Sequence, residues 1–256
     1  MLLELFVTRI LVARDAAKKQ LSIDLALPAQ ALDEKDSSSL RGAAEIQLHE
    51  ELKIPYFYGL ERLCVMATYN IEELLSLAAA LYDGFVAKQL LGKRSPNLSP
   101  AEQEKILRAS AAKRLQFVPG NHREGAHAQM LITSIGSYCR ERTFLPNAPY
   151  APGVTGVRLS GSEVDKLSRD SRSLGQQGKL LRCVLSECVA ENLLVLRPSS
   201  ASTNREPGSI FYLNRTLCVH FGLPLQMGGW QDVSCMDLID WMLRGRKPKM
   251  RRAIGI

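Results

Sequence analysis

The sequence predicts a mainly α protein in which a helical bundle is followed by a winged helix-turn-helix with a small β wing. Apolar residues recur at helical spacing over most of the first 143 residues. From residue 127 to residue 221 the pattern changes to helix, strand, helix, short turn, helix and then two strands joined by a polar loop. That order of elements is typical of a winged helix. The chain is 46% hydrophobic and 23% charged, which is typical of a folded protein and excludes wholesale disorder.

Residues 1–39 are predicted to form one helix and a loop. Apolar and charged residues alternate at helical spacing over residues 2–19, and this helix begins almost at Met1 without a capping residue. We therefore expect that the natural element begins earlier. Residues 20–39 pass through Pro28 into a charged and serine-rich run, which is typical of a loop. We interpret residues 1–39 as a candidate remnant of a larger domain.

Residues 40–143 are predicted to be a unit of helices with strong local signals at their ends. Asn70 is placed to cap one helix, and the pair Ser99 and Glu102 predicts a capping box for the next, with Pro100 at its first position. Pro119 and the two residues after it predict a turn. The predicted helices cover about residues 39–52, 59–67, 71–91, 99–117 and 126–142.

Residues 144–233 are predicted to be the winged-helix unit, and residues 234–256 a terminal helix with a basic tail. Strands are expected at residues 154–159, 193–197 and 209–213, with a polar loop over residues 198–208. Helices are expected at about residues 160–172, 178–192, 215–221 and 234–244.

The positive charge is concentrated in the tail. The chain carries a formal net charge of +7. Residues 244–256 hold six basic side chains and no acid, so residues 1–243 carry only +1. A short basic tail can bind a phosphate backbone without reading its sequence, and it can also be a solvated terminus without such a role.

The helix at residues 178–192 is the predicted reading helix of the winged unit. Its basic residues lie near its start, but Glu187 and Glu191 would oppose the phosphates, so we expect a poor reader of DNA sequence. Winged helices also act as protein-contact modules, and we favour that alternative slightly for this helix face. The predicted nucleic-acid-binding residues are Lys179, Arg182, Arg197, Arg205, Arg244, Arg246, Lys247, Lys249, Arg251 and Arg252.

The catalytic patterns that we searched for are absent from the sequence. Gly175 and Gly178 are too close together to form a phosphate-binding loop before Lys179. His122 and His127 lie five residues apart, whereas a helical zinc pair needs a spacing of four. We predict no catalytic residue, no metal ligand and no cofactor for this chain, and we expect His49, which lies among acids, to be solvated.

The six cysteines are scattered, without a Cys-x-x-Cys pair, which favours a reduced cytoplasmic protein with buried thiols. No apolar run is long enough to cross a membrane, and we expect no membrane partner.

Four stretches resemble the C-terminal part of bacterial AAA+ ATPases similar to the origin-recognition-complex family. The similarity covers about residues 40–243. The stretches are Ile54-Pro-Tyr-Phe-Tyr-Gly59, Thr68-Tyr-Asn-Ile-Glu-Glu-Leu-Leu75, Ala148-Pro-Tyr-Ala-Pro-Gly-Val-Thr-Gly156 and Phe211-Tyr-Leu-Asn-Arg-Thr-Leu-Cys218.

The resemblance implies a nucleotide-binding core, a helical lid and a winged helix that binds DNA or partners. By it, residues 40–91 are lid-like and residues 144–221 are the winged helix, within a predicted lid-like domain of residues 40–143 and a predicted winged-helix domain of residues 144–233. Two features depart from the family: the phosphate-binding loop and the acidic motif of the core are missing from this chain. In addition, the lid arginine that faces the nucleotide is replaced by an acid at Glu72, which would repel a triphosphate.

These observations favour a non-catalytic module of an AAA+-like protein, a truncated or split C-terminal part. It would bind DNA through the winged helix and tail, or an ATPase core or another protein through its helices. The alternative is an enzyme of unrecognised type, such as a nuclease or a toxin effector. A truncated reading frame without a function of its own is a third reading.

Overall fold

The structure is a computed structural model that describes residues 1–19, 38–92, 97–145, 153–168, 174–200 and 206–246. These ranges contain ten helices and four strands. The helices are α1 (Leu2–Lys19), α2 (Ser38–Leu52), α3 (Leu60–Met66), α4 (Ile71–Leu90), α5 (Pro100–Asn121), α6 (Gly125–Thr143), α7 (Gly161–Ser168), α8 (Gly175–Ala190), α9 (Arg215–Phe221) and α10 (Cys235–Arg244). The strands are β1 (Val154–Ser160), β2 (Leu194–Ser199), β3 (Gly208–Leu213) and β4 (Gly229–Asp232).

The predicted helix starts are confirmed by their side-chain caps. The Asn70 side chain accepts hydrogen bonds from the backbone N–H groups of Glu72 and Glu73 at the start of α4. Ser99 and Glu102 form a complete capping box at the start of α5. These signals are local in sequence, which explains why the sequence alone located both helix starts.

The predicted turn at Pro119 is wrong, because α5 continues through it to Asn121. A proline inside a helix has no N–H for the carbonyl four residues earlier, which here is the carbonyl of Leu115. The Gln129 side chain on α6 donates to that carbonyl at 3.0 Å instead. A residue on the neighbouring helix thus satisfies the acceptor that the proline leaves open.

The four strands form one mixed sheet in the order β2-β3-β1-β4. β3 is antiparallel to both β1 and β2, and β4 is parallel to β1. The sequence did not predict β4, which has only four residues and no alternating pattern. It also ended β2 too early, at Arg197. Because β2 is an edge strand, Pro198 can lie in it without removing a hydrogen bond of the sheet interior.

One buried apolar cluster joins the helices to the sheet. It includes Phe57 before α3, Leu131 on α6, Leu159 on β1 and Leu213 on β3. A second, smaller cluster lies between α1 and α2. The fold class is therefore as predicted: a mainly α helical bundle with a small β wing. The later part of the helix predicted for residues 160–172 lies outside the described residues.

The burial of one histidine differs from its sequence expectation, and the burial of the aromatic residues and cysteines varies along the chain. His49 is buried rather than solvated, because α5 covers it. Tyr58 and Tyr69 are exposed, although their neighbours Tyr56 and Phe57 are in the core. Four of the six cysteines are buried as expected, and the exposed two are Cys64 and Cys183.

Candidate nucleic-acid interface

Helix α8 buries one face and exposes the predicted basic residues on the other. Leu181, Val184 and Leu185 lie in the core. Lys179 and Arg182 are exposed, and one guanidinium nitrogen of Arg182 donates to the Ser168 carbonyl at 3.3 Å. The basic residues that the sequence selected on this helix therefore lie on its outer surface.

Glu187 on α8 is held by the protein. Its carboxylate accepts hydrogen bonds from the backbone N–H groups of Arg123, at 2.7 Å, and Glu124, at 3.1 Å. These two N–H groups lie just before α6 and have no partner within a helix. The acid that we expected to oppose phosphate is thus engaged on the loop before α6, and only Glu191 remains as an exposed acid near the end of α8.

The hairpin of β2 and β3 carries one exposed basic residue, Arg197, and is hydrogen-bonded to a buried one, Arg158. Arg197 is exposed on β2, whereas Arg205 lies outside the described residues. Arg158 on β1 is not among the residues predicted from the sequence, and its side chain is only 4% exposed. It donates to Asp232 on β4 at 2.5 Å, to Ser199 at the end of β2 at 3.2 Å, and to the Glu206 carbonyl before β3. Arg158 therefore fixes both strands of the hairpin near their loop.

The first two basic residues of the tail differ in exposure. Arg244 is exposed and pairs with Asp240 one turn earlier on α10, at 3.2 Å. The Arg246 side chain is 9% exposed, pairs with Glu141 at 2.5 Å and lies over the Tyr138 ring. Arg246 is thus bound inside the protein. The predicted residues Lys247, Lys249, Arg251 and Arg252 lie outside the described residues.

Helix α8 contacts both of the other elements that carry exposed basic residues. Helix α8 packs against both β2 and α10. The helix that carries Lys179 and Arg182 is therefore adjacent to the strand that carries Arg197. It is also adjacent to the helix that carries Arg244. We call these four residues the basic face. Sequence spacing alone did not show that these three elements are neighbours.

A buried carboxylate joins the helical part of the chain to the sheet. Glu73 on α4 pairs with Arg114 on α5, and it accepts hydrogen bonds from the side chains of Asn192, at 3.3 Å, and Asn214, at 3.2 Å. Asn192 follows α8, and Asn214 caps α9. This acid therefore fixes the position of both ends of the β2–β3 hairpin relative to α4.

A second buried carboxylate, Glu104 on α5, organises the loop after α2. It accepts from the Tyr56 N–H at 2.8 Å, pairs with Arg108 at 2.8 Å, and lies 3.3 Å from the His49 ring nitrogen. Burial alone raises the pKa of the Glu104 carboxyl, but the hydrogen bonds from Arg108 and Tyr56 and the charge of His49 bring it below its usual range.

Two buried thiols and the metal-ligating side chains of the described residues bear on the chemistry open to this chain. Burial raises the pKa of the Cys188 and Cys218 thiols to about 12, so both remain protonated near neutral pH. No group of three or more His, Cys, Asp or Glu side chains within the described ranges could hold a metal ion. In the same ranges, no helix is both long and apolar enough to cross a membrane.

Comparison with known proteins identifies the family. No curated protein and no solved structure matches the chain. A sequence model described as ORC-CDC6-like matches residues 13–230, which is most of the 256 residues. This span contains the four stretches on which the resemblance rests, and it covers α2 to α9 and β1 to β3 completely. The chain therefore belongs to the ORC-CDC6-like family, whose proteins are related to AAA+ ATPases.

Proposed function

We propose that the C-terminal half of the chain is a winged helix that binds nucleic acid through the basic face. In this reading α6, α7 and α8 are its helices, and β2 and β3 are its wing. The observation that carries the proposal is that Lys179, Arg182 and Arg197 are exposed on two contacting elements while Glu187 is bound elsewhere.

The contacts expected from this face are contacts to phosphate. Lysine and arginine side chains at a surface bind the backbone of a duplex and fix the orientation of the protein on it. Arg158 supports this role indirectly. Its side chain is buried and does not face the ligand, but its hydrogen bonds hold the two strands of the wing in place. We therefore propose binding with little sequence preference, to which the basic residues of the tail would add.

The experiment is a titration of a fluorescent DNA duplex with the full chain. We expect the double variant Lys179→Ala/Arg182→Ala to weaken binding about tenfold, because it removes two phosphate contacts. The matched control is Arg41→Ala/Lys113→Ala, which removes the same charge from exposed positions on α2 and α5, outside the basic face. Equal affinities of the two double variants would contradict the proposal.

A second candidate function is the binding of an ATPase core through α4. Ile71, Leu75, Tyr82 and Leu90 are each more than 60% exposed and follow one another at helical spacing on one side of this helix. Contiguous exposed apolar surface marks interaction sites, and membership of an AAA+-related family makes a nucleotide-binding core the partner that we propose.

Photocrosslinking distinguishes this second candidate. A photoreactive residue at position 75 on α4 should capture a nucleotide-binding ATPase core in the host cell. The same residue at position 109, exposed on α5, serves as the control and should not capture it. Capture at neither position, or equally at both, would contradict a partner site on α4.

A further inference from the structure

A groove of about 720 Å³ opens between α2, α5, α6 and α9, and no residue of the basic face lines it. None of its lining residues belongs to α4, α8 or the sheet. Its nitrogen-bearing lining side chains are His49, Lys53, Lys105, Arg108, Arg140 and His220. Glu50 and Glu104 are its two acids.

Each acid of the groove is already matched by an arginine. Arg140 pairs with Glu50 at 2.7 Å, and Arg108 pairs with Glu104 at 2.8 Å. The same guanidinium groups donate to carbonyls at the end of α9, those of Phe221 and Val219 respectively. The two arginines and the two acids therefore form a neutral frame that holds α9 in place.

Two lysines add positive charge that no carboxylate neutralises within the described residues. The Lys53 ammonium donates to the backbone carbonyl of Glu50 at 2.6 Å, which leaves its charge uncompensated. Lys105 is exposed and makes neither a hydrogen bond nor an ion pair in the part of the chain that the structure describes. The two lysines line the groove from different elements, since Lys53 follows α2 and Lys105 lies on α5.

His220 adds a donor that the protein does not use. Its ring packs against Phe221 at a centroid distance of 4.8 Å, and its nitrogens make no hydrogen bond within the described ranges. Burial and then the charge of Arg108 lower the pKa of His220, so the ring is neutral near pH 7 and one of its nitrogens carries a proton. The ring lines the groove together with the two lysines.

We propose that this groove binds a phosphoryl group through Lys53, Lys105 and His220. A phosphoryl group offers several acceptor oxygens and a negative charge. These match two ammonium groups whose charge no described carboxylate neutralises and one imidazole N–H that makes no hydrogen bond within the described residues. Ala101, in the first turn of α5, also lines the groove, so the positive end of that helix adds to the attraction. The volume is typical of sites for small molecules. The phosphoryl group belongs to a free phosphate compound or to a nucleic-acid backbone.

Calorimetry with inorganic pyrophosphate at low salt is the first test. We expect saturable binding that the single variants Lys53→Ala and Lys105→Ala each weaken about fivefold, the upper range for an exposed ion pair. Lys113→Ala is the matched control, because it removes the same charge from the same helix outside the groove, and it should leave binding unchanged. The His220 imidazole resonances should shift on binding. If the Lys113→Ala control abolished the pyrophosphate-induced shift of the His220 resonances, the assignment of the site would be overturned.

A titration with a DNA duplex distinguishes the two sources of phosphate. If Lys53→Ala/Lys105→Ala weakens duplex binding about tenfold, the groove binds a nucleic-acid backbone. If it changes only pyrophosphate binding, the ligand is a free phosphate compound. No saturable pyrophosphate binding, together with unchanged duplex binding in this double variant, would overturn the proposal. This result is independent of the basic face, which the variants of α8 test, and circular dichroism of each variant confirms that it folds.

Discussion

Glu187 on α8 accepts a hydrogen bond from the backbone N–H of Arg123 at 2.7 Å. A second N–H, that of Glu124, donates to the same carboxylate at 3.1 Å. The sequence places this acid on the proposed reading helix, where its charge would repel phosphate. The fold instead uses its carboxylate to bind the loop between α5 and α6.

We predict that Glu187→Gln lowers the free energy of unfolding by about 1 kcal/mol, because an amide oxygen is a weaker acceptor for the two backbone donors. The measurement is urea denaturation. Glu191→Gln, one turn later and exposed, is the control and should change stability by less than about 0.5 kcal/mol. Equal effects of the two substitutions would show that the Glu187 contacts do not stabilise the fold.

Replacing the buried Arg158 should lower stability, whereas replacing the exposed Arg197 should weaken nucleic-acid binding. We expect Arg158→Met to lower the free energy of unfolding by about 2 kcal/mol, because Asp232, Ser199 and the Glu206 carbonyl each lose a donor. Amide hydrogen exchange in β3 should become faster. Arg197→Met should leave stability within about 0.5 kcal/mol but weaken duplex binding. A stable Arg158→Met protein with an unchanged exchange rate would argue against its role in holding the wing.

Loss of Glu73 should cost much more stability than loss of an exposed acid on the same helix. The variant Glu73→Ala leaves Arg114 without its carboxylate and removes the acceptor of Asn192 and Asn214. Breaking a buried pair in this way costs about 3 kcal/mol. Asp83→Ala, at an exposed position of the same helix, should cost less than about 0.5 kcal/mol in a urea titration. The expectation fails if the two variants unfold at the same urea concentration.

Glu104 should make the stability of the protein depend on acid pH. Its folded pKa lies below the ordinary value of 4.5, so its ionised form stabilises the folded state above that pH. This contribution is lost as the pH falls through the folded pKa. The stability difference between the wild type and Glu104→Gln should therefore be largest near pH 6 and shrink towards pH 3, as measured by denaturation at each pH. A difference that stays constant over this range would contradict the assignment.

The sequence predicted those structural features that depend on residues close to one another in the chain. The caps at Asn70 and Ser99 are local patterns, and the order of elements from α6 to β3 follows from hydrophobic periodicity. The sequence mislocated the ends of α5 and β2, because the effect of a proline depends on what lies beside it. Gln129 satisfies the carbonyl opposite Pro119, and Pro198 lies on an edge strand.

The buried polar network of the candidate site could not be predicted in the same way. Glu73 and Asn214 are 141 residues apart in sequence, and no local pattern marks either as a partner of the other. The burial of His49 depends likewise on α5, which begins about fifty residues later. The exposed basic residues on α8 and β2 were found from type and position alone, whereas the different surroundings of Arg246 and Arg244 required the fold.

The salt dependence of duplex binding tests the central claim most directly. Each phosphate contact contributes a slope of about −0.9 to the logarithm of affinity against the logarithm of salt concentration. The variant Lys179→Ala/Arg182→Ala/Arg197→Ala should therefore have a slope shallower than that of the wild type by about 2.7. Parallel lines for the two proteins, with equal affinity at every salt concentration, would show that these side chains do not contact nucleic acid.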